Sequence, residues 1–160
     1  MQKIRLLLAL LMISASSSCQ RPQHIDYVIY GIYCGECFGH CATMFKVGDG
    51  SVWIDTTDSY FKNDRHLRFG TYKANPDFYL IAKTAIDSLP AMLLDTSNHT
   101  YLYGMPDARD QCGIYVEYGM GKYTRSFFID TEPEHGIDIP TELQRYRERI
   151  RNLVNEFYKK

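Results

Sequence analysis

Tyr33-Cys34-Gly35-Glu36-Cys37-Phe38-Gly39-His40-Cys41 crowds three cysteines and a histidine into the eight residues from Cys34 to Cys41. Three chemistries compete for such a cluster. Cys34-x-x-Cys37 has the spacing of a thiol redox motif, but the segment is β-rich and does not open a helix, whose N-terminus would lower a thiolate pKa. Cys34, Cys37, His40 and Cys41, with Cys112 or His24 in reserve, form a set able to hold a tetrahedral zinc. A zinc ribbon, however, brings together two separated ligand pairs, and only one cluster is present. Haem attachment requires a histidine directly after the second cysteine, where Phe38 stands, and is excluded. The third chemistry is oxidation to disulfides. The chain holds five cysteines, and once Cys19 is set apart for the reason given below, Cys34, Cys37, Cys41 and Cys112 are left as an even set. Outside the cytoplasm an even set favours disulfides, with three pairings open. A bridge as short as Cys37 to Cys41 would contribute less than the roughly 3 kcal/mol of a 15-residue loop and would serve to fix a tight turn. Structural disulfides with no cofactor are the leading expectation, and an envelope thiol-redox or zinc protein built on Cys34, Cys37, His40 and Cys41 is the alternative.

Nucleophilic catalysis has less support. Ser59-Tyr60-Phe61-Lys62 matches the Ser-x-x-Lys of penicillin-recognising enzymes, yet Lys122-Tyr123-Thr124 lacks the glycine of their Lys-Thr-Gly element and the chain is too short for that fold. There is no Gly-x-Ser-x-Gly elbow, phosphate loop or His-Glu-x-x-His helix. A small hydrolase, the least favoured class, would need a cleft joining a nucleophile to His24, His40, His66, His99 or His135, so no catalytic residue is assigned. Asp55, Asp58 and Asp64 lack calcium-loop spacing, and turn chemistry accounts for them first. Asp107, Arg109 and Asp110, in the loop after Pro106, make a candidate binding edge. The 13 tyrosines against one tryptophan suit half-buried strands with the hydroxyl reaching water. A contiguous exposed tyrosine patch would instead suggest contact with a glycan, peptide or protein.

The compartment is written at the N-terminus. Met1 to Arg5 carries two positive charges, Ile4 to Ile13 is apolar apart from Arg5, and Ser14 to Ser18 are small residues leading directly to Cys19. This is the pattern of a signal peptide, residues 1–18, and its apolar run is half the roughly 20 residues of a spanning helix. Small residues before a cysteine resemble the lipobox of bacterial lipoproteins, although Ser16 stands where leucine is usual. Cys19 is accordingly expected to carry lipid, with residues 19–24 as anchor and tether, and the non-acidic Gln20 points to the outer membrane. Lys3 and Arg5 are the only charges before Cys19, so the remainder carries 16 basic and 19 acidic side chains. That slightly acidic balance argues against nucleic acid as a partner, because affinity for phosphates comes from clustered Lys and Arg. The partners expected are the membrane, through the lipid, and an unidentified protein, peptide or glycan.

Residues 25–160 contain no long, low-complexity linker and read as one domain. Tyr27 to Tyr33 reads as a strand. Thr43–Val47 and Ser51–Asp55 flank the turn Gly48-Asp49-Gly50, and Ile114–Tyr118 and Tyr123–Asp130 flank Gly119-Met120-Gly121, giving two hairpins. His66–Tyr72 alternates like a further strand. Phe78, Ile81, Ala82, Ala85, Ile86 and Leu89 share one helical face after Asn75-Pro76 and before Pro90. Leu143, Tyr146, Ile150, Leu153, Val154 and Phe157 make a second stripe after Pro140. The expected fold is α+β: an antiparallel sheet of roughly five to seven strands, helices over about 76–89 and 140–158 packed on one face, and the other face solvated. Ile54-Asp55-Thr56 is echoed by Ile129-Asp130-Thr131, which suggests two halves that each end in a helix.

Cys37-Phe38-Gly39-His40-Cys41, followed by Met44-Phe45-Lys46-Val47 and the Asp49-Gly50 turn, resembles an uncharacterised family of small extracytoplasmic bacterial lipoproteins. In that family a Cys-Phe-Gly-x-Cys segment precedes a β-hairpin. The proline usual after the second cysteine is Ala42 here, and the resemblance covers about Tyr30 to Asp55, with weaker echoes near Asp107 to Glu117. It implies location and a β-rich fold, and it supplies no catalytic residues.

Overall fold

The computed structural model describes residues 24–35, 37–55, 57–62, 67–70, 76–106, 111–132 and 138–159, with 61 and 62 described by backbone alone. Residues 1–23, over which the signal peptide, the lipid-bearing Cys19 and most of the tether are expected, and Asp64, His66, Asp107, Arg109, Asp110 and His135 lie outside these residues. The elements in chain order are β1 (Tyr27–Cys34), β2 (Ala42–Gly48), β3 (Ser51–Ile54), α1 (Ser59–Lys62), α2 (Pro76–Ala82), α3 (Thr84–Asp87), α4 (Ala91–Leu94), β4 (Leu102–Tyr103), β5 (Cys112–Met120), β6 (Tyr123–Asp130) and α5 (Thr141–Tyr158).

The six strands form one sheet in the order β3-β2-β1-β5-β6-β4. The architecture is α+β as expected, but the sheet is mixed: its neighbours are antiparallel except β4, which pairs parallel with β6 through Leu102↔Phe128 and Tyr103↔Ile129. The reason is topological. The helical segment between β3 and β4 carries the chain from one edge of the sheet to the other. β4 then finishes at the end of the sheet where β5 begins, so the chain re-enters without recrossing the sheet's length.

The first hairpin forms about a turn one residue shorter than read: Gly48 is still strand, paired with Ser51, and Asp49 and Gly50 take positive φ (45° and 66°), the conformation whose twist matches the flanking strands. The second hairpin turns two residues later than expected. Gly119 and Met120 are still strand, paired with Thr124 and Tyr123, and Gly121 at φ 59° begins the turn. Gly119 serves a different purpose, because a Cβ there would collide with the Tyr27 ring lying across it.

The helix expected over 76–89 divides at Lys83 into α2 and α3. The Thr84 hydroxyl donates to the Ile81 carbonyl at 2.7 Å, a back-bond that bends helices. The strand expected over 66–72 is absent from Leu67–Gly70. Its Arg68 N–H donates to the Ser59 hydroxyl at 2.8 Å rather than to a neighbouring strand, so the alternation of Leu67 and Phe69 reflects burial without a ladder.

Alternation along the strands sorts the core. Val28, Tyr30, Phe45, Val47, Ile114, Val116, Phe127 and Ile129 share one buried cluster with Phe78, Ala82, Ala85 and Leu89 and with Leu143, Tyr146, Ile150, Leu153 and Val154 of α5. The opposite face is not simply solvated. Ile29, Tyr33, Met44 and Tyr115 form a second buried cluster with Tyr60 of α1, and Leu67 and Phe69 pack against it. Tyr33 stacks on Tyr60 with ring centroids 4.8 Å apart. Gly113 is required beneath Tyr33, since any Cβ there would meet its ring.

Candidate functional site

The chemistry-bearing residues gather where β1 ends and β5 begins, which we term the disulfide pole. Cys34 is the Cα partner of Cys112 in the β1–β5 register, and its N–H donates to the Cys41 carbonyl at 2.8 Å. Cys34 and Cys112 therefore stand side by side on adjacent strands, on the face of Tyr30, Ile114 and Val116, and Cys41 adjoins Cys34 just before β2 begins. Cys34 pairs with Cys112 (Cα–Cα 4.1 Å) and Cys37 with Cys41 (Cα–Cα 5.6 Å) at disulfide distance. This resolves the three pairings left open by the sequence. It also gives Cys34 and Cys37 different partners, so the two cysteines of the Cys-x-x-Cys spacing are not bonded to each other. Cys34, Cys37 and Cys41 of the set named for zinc are all engaged in these two bonds. Among the described residues no three His, Cys, Asp or Glu side chains converge as a metal site.

The Cys37–Cys41 bridge closes a ring of five residues that the β1–β2 ladder holds in place. Gly39 takes φ 98° within it, Phe38 is fully exposed at 107% of its reference area, and His40 is exposed. Isolated exposed apolar residues are ordinary. This one is displayed on a backbone with little freedom to fold it away. Two clefts flank the last turns of α5 beside the ring. One, of about 350 Å³, is lined by Ile32, Gln111, Cys112, Thr131, Glu132, Arg151 and Asn155. The other, of about 330 Å³, is lined by His40, Ala42, Thr43, Ile54, Asp55, Phe157 and Tyr158. Thr43 Oγ1 and Tyr158 Oη lie 2.6 Å apart and fasten the helix end to β2.

The repeated Ile-Asp-Thr has a physical counterpart at this pole. Asp55 and Asp130 are both buried just where β3 and β6 stop. Each accepts the N–H two residues ahead, from Thr57 at 2.9 Å and from Glu132 at 2.8 Å. Each also ties in a second segment. Asp55 accepts the N–H and hydroxyl of Ser59, both at 2.7 Å, and Asp130 accepts the Met105 N–H at 2.9 Å. Burial works against the Asp55 charge, and the hydrogen bonds from Ser59 and Thr57 outweigh it, leaving the carboxyl below its ordinary range. Ser59 is thus a buried anchor bonded to Asp55 and Arg68. Asp58, at φ 55°, accepts the Ala42 N–H at 3.1 Å, a link between distant segments rather than the local turn bond expected of it.

Other sequence-derived candidates scatter. His24 lines a cleft at the opposite end of the sheet and His99 is exposed in the segment after α4. Of the tyrosines expected in strands, Tyr33, Tyr103 and Tyr115 are buried, while Tyr101, just before β4, and Tyr123, at the start of β6, are exposed. No contiguous tyrosine patch forms among the described residues. Two networks had no signal in spacing. Arg125 donates to the carbonyls of Leu93 (3.1 Å), Asp95 (2.7 Å) and Asn98, clamping the turn after α4. Glu117 accepts from Tyr27 at 3.0 Å and Tyr115 at 2.6 Å, and burial together with the Glu117 charge raises the pKa of the Tyr115 hydroxyl. No protein-family model matches the chain, and no curated protein matches it either.

Proposed function

We propose that this chain is a lipid-anchored protein of the bacterial cell envelope, held in the outer membrane by acylated Cys19, and that it acts by binding or assembly rather than catalysis. In this reading the signal peptide 1–18 is removed, residues 19–24 tether one α+β domain, and the helical segments cover one face of its sheet. The observation that carries the reading is the cysteine arithmetic in space. Cys34, Cys37, Cys41 and Cys112 pair off completely, as suits an oxidising compartment, and by count Cys19 is the odd cysteine, standing behind a lipobox-like stretch. The partner is a protein, peptide or glycan, not a nucleic acid, and it meets the disulfide pole, where Phe38, His40 and two clefts adjoin. The resemblance around Cys37 to Asp49 favours the same placement among small extracytoplasmic lipoproteins.

The test is metabolic labelling with a radioactive fatty acid in a Gram-negative host. Label is expected in the wild-type protein in the outer-membrane fraction and lost in Cys19→Ala. A wild-type protein without label, released into the periplasm, contradicts the reading.

A further inference from the structure

The anchor and the fold together orient the molecule. The end of the sheet opposite the disulfides, the turn pole, gathers the start of β1, the Asp49-Gly50 turn and the Gly121-Lys122 turn. Asp26 donates its N–H to the Gly119 carbonyl at 2.8 Å and accepts the Gly121 N–H at 2.6 Å. His24, Ile25, Asp49, Tyr79 and Lys83 line a cleft at this pole. We infer that the turn pole rests on the bilayer surface, with Tyr123 and Lys122 in the headgroup region, and that the Phe38 ring points away from the membrane toward its partner. The inference rests on the proposed acylation of Cys19.

Reach sets the orientation. Five residue steps separate Cys19 from His24, and a chain spans at most about 3.6 Å per residue, so the turn pole stays within about 18 Å of the lipid. β1 runs from Tyr27 to Cys34, seven steps at about 3.3 Å, which sets the disulfide pole about 23 Å farther along the strand. Inverting the domain so that Phe38 faces the bilayer would hold the turn pole about 23 Å from the lipid, beyond the roughly 18 Å that the tether can span. The exposed chemistry of the turn pole suits the interface. Tyr123 is 76% exposed, Lys122 is exposed beside it, and Leu80, in the same helical turn as Tyr79, is 73% exposed. Tyrosine prefers the headgroup level, and lysine lays its stem on apolar surface while its charge stays in water. The contact is not a basic patch. Lys83 is paired with Asp87 at 2.5 Å, and Asp26 and Asp49 share the pole. The docking is therefore insensitive to salt, unlike binding through clustered Lys and Arg.

The experiment uses the full acylated protein, extracted from membranes and reconstituted into vesicles of phosphatidylethanolamine and phosphatidylglycerol doped with a lipid brominated in its acyl chains. In a Trp53→Phe background, Tyr123→Trp and Phe38→Trp each place a single tryptophan at one pole. Bromine is expected to quench the emission from position 123, at low and high salt alike, and to leave position 38 unchanged. Equal quenching at both positions, quenching at 38 alone, or none at 123 overturns the orientation. Should the Trp53→Phe background not fold, paramagnetic lipid added to isotope-labelled wild-type protein tests the same orientation. The amide signals of Gly50 and Gly121 are expected to broaden and that of Gly39 to remain sharp, and the reverse overturns the inference. Intact mass of the same sample separates the two levels: unacylated Cys19 removes the anchor and the inference with it, whereas acylated protein with reversed quenching overturns the orientation alone.

Discussion

Removing the two disulfides one at a time should cost very different amounts, although they lie side by side. Cys34 and Cys112 are 78 residues apart in sequence, and Cys37 and Cys41 only 4. On the chain-entropy estimate, cross-linking withdraws from the unfolded state about 4.5 kcal/mol for the long loop and about 1.9 kcal/mol for the short one. Native geometry does not reverse the order, because Cys34 and Cys112 are already Cα partners in the β1–β5 ladder. Double variants are required. In Cys112→Ala alone, the Cys34 thiol would stand beside Cys41 and invite exchange with the Cys37–Cys41 bond. The assay is urea unfolding of oxidised wild type, Cys34→Ala/Cys112→Ala and Cys37→Ala/Cys41→Ala from residue 19 onward. The first variant should lose about 4 to 5 kcal/mol, a large part of a domain's usual 5–15 kcal/mol, and show a larger m-value as its unfolded chain expands. The second should lose about 2 kcal/mol or less with m unchanged. Equal losses, or the larger loss in the Cys37/Cys41 variant, would refute both the pairing and the reasoning from loop length.

Asp55→Asn should destabilise by about 1–3 kcal/mol at neutral pH, since an amide cannot accept all four donors from Thr57 and Ser59. Because the folded Asp55 pKa is depressed, its contribution is present above the unfolded value near 4 and fades as pH falls through the folded one, so chemical-denaturation curves of Asp55→Asn should vary less with pH below about 4 than wild type. Tyr146→Phe should cost about 0.5–1.5 kcal/mol, because the buried Tyr146 hydroxyl donates to the Ala85 carbonyl at 3.0 Å and joins α5 to α3; an unchanged urea midpoint would contradict that link. Phe38→Ser should leave stability within about 0.5 kcal/mol while removing partners cross-linked at the Cys37–Cys41 ring, and a large loss of stability would mean that Phe38 is packed rather than displayed.

Local signals carried much of the fold. β-branched and aromatic runs bounded by Asp-Gly and Gly turns gave the strands of the first hairpin to within one residue, and the apolar stripe from Leu143 to Phe157 gave α5. Where sequence and structure part, a side chain had competed with the backbone. Thr84 divides the helix expected over 76–89, and Ser59 takes the Arg68 N–H that a strand would have used. Gly119 looked like a turn residue because a glycine forced by a ring overhead is indistinguishable in sequence from one forced by positive φ. The parallel β4–β6 pairing depends on where a long connection re-enters the sheet, which no window of residues encodes. At the disulfide pole, composition identified the cysteines but not their partners, since the pairing follows from strand order. The Ile-Asp-Thr echo, three residues long, marked two buried strand-ending carboxylates in equivalent surroundings.

The central claim, an envelope lipoprotein with a disulfide-framed binding pole, is tested most directly by intact mass and non-reducing peptide mapping of the protein extracted from its native membrane. The expected result is a chain that begins at Cys19 with acyl mass attached, no alkylatable thiol, and cross-linked peptides joining Cys34 to Cys112 and Cys37 to Cys41. A mature chain lacking acyl mass, or free thiols at Cys34, Cys37, Cys41 and Cys112, would contradict it.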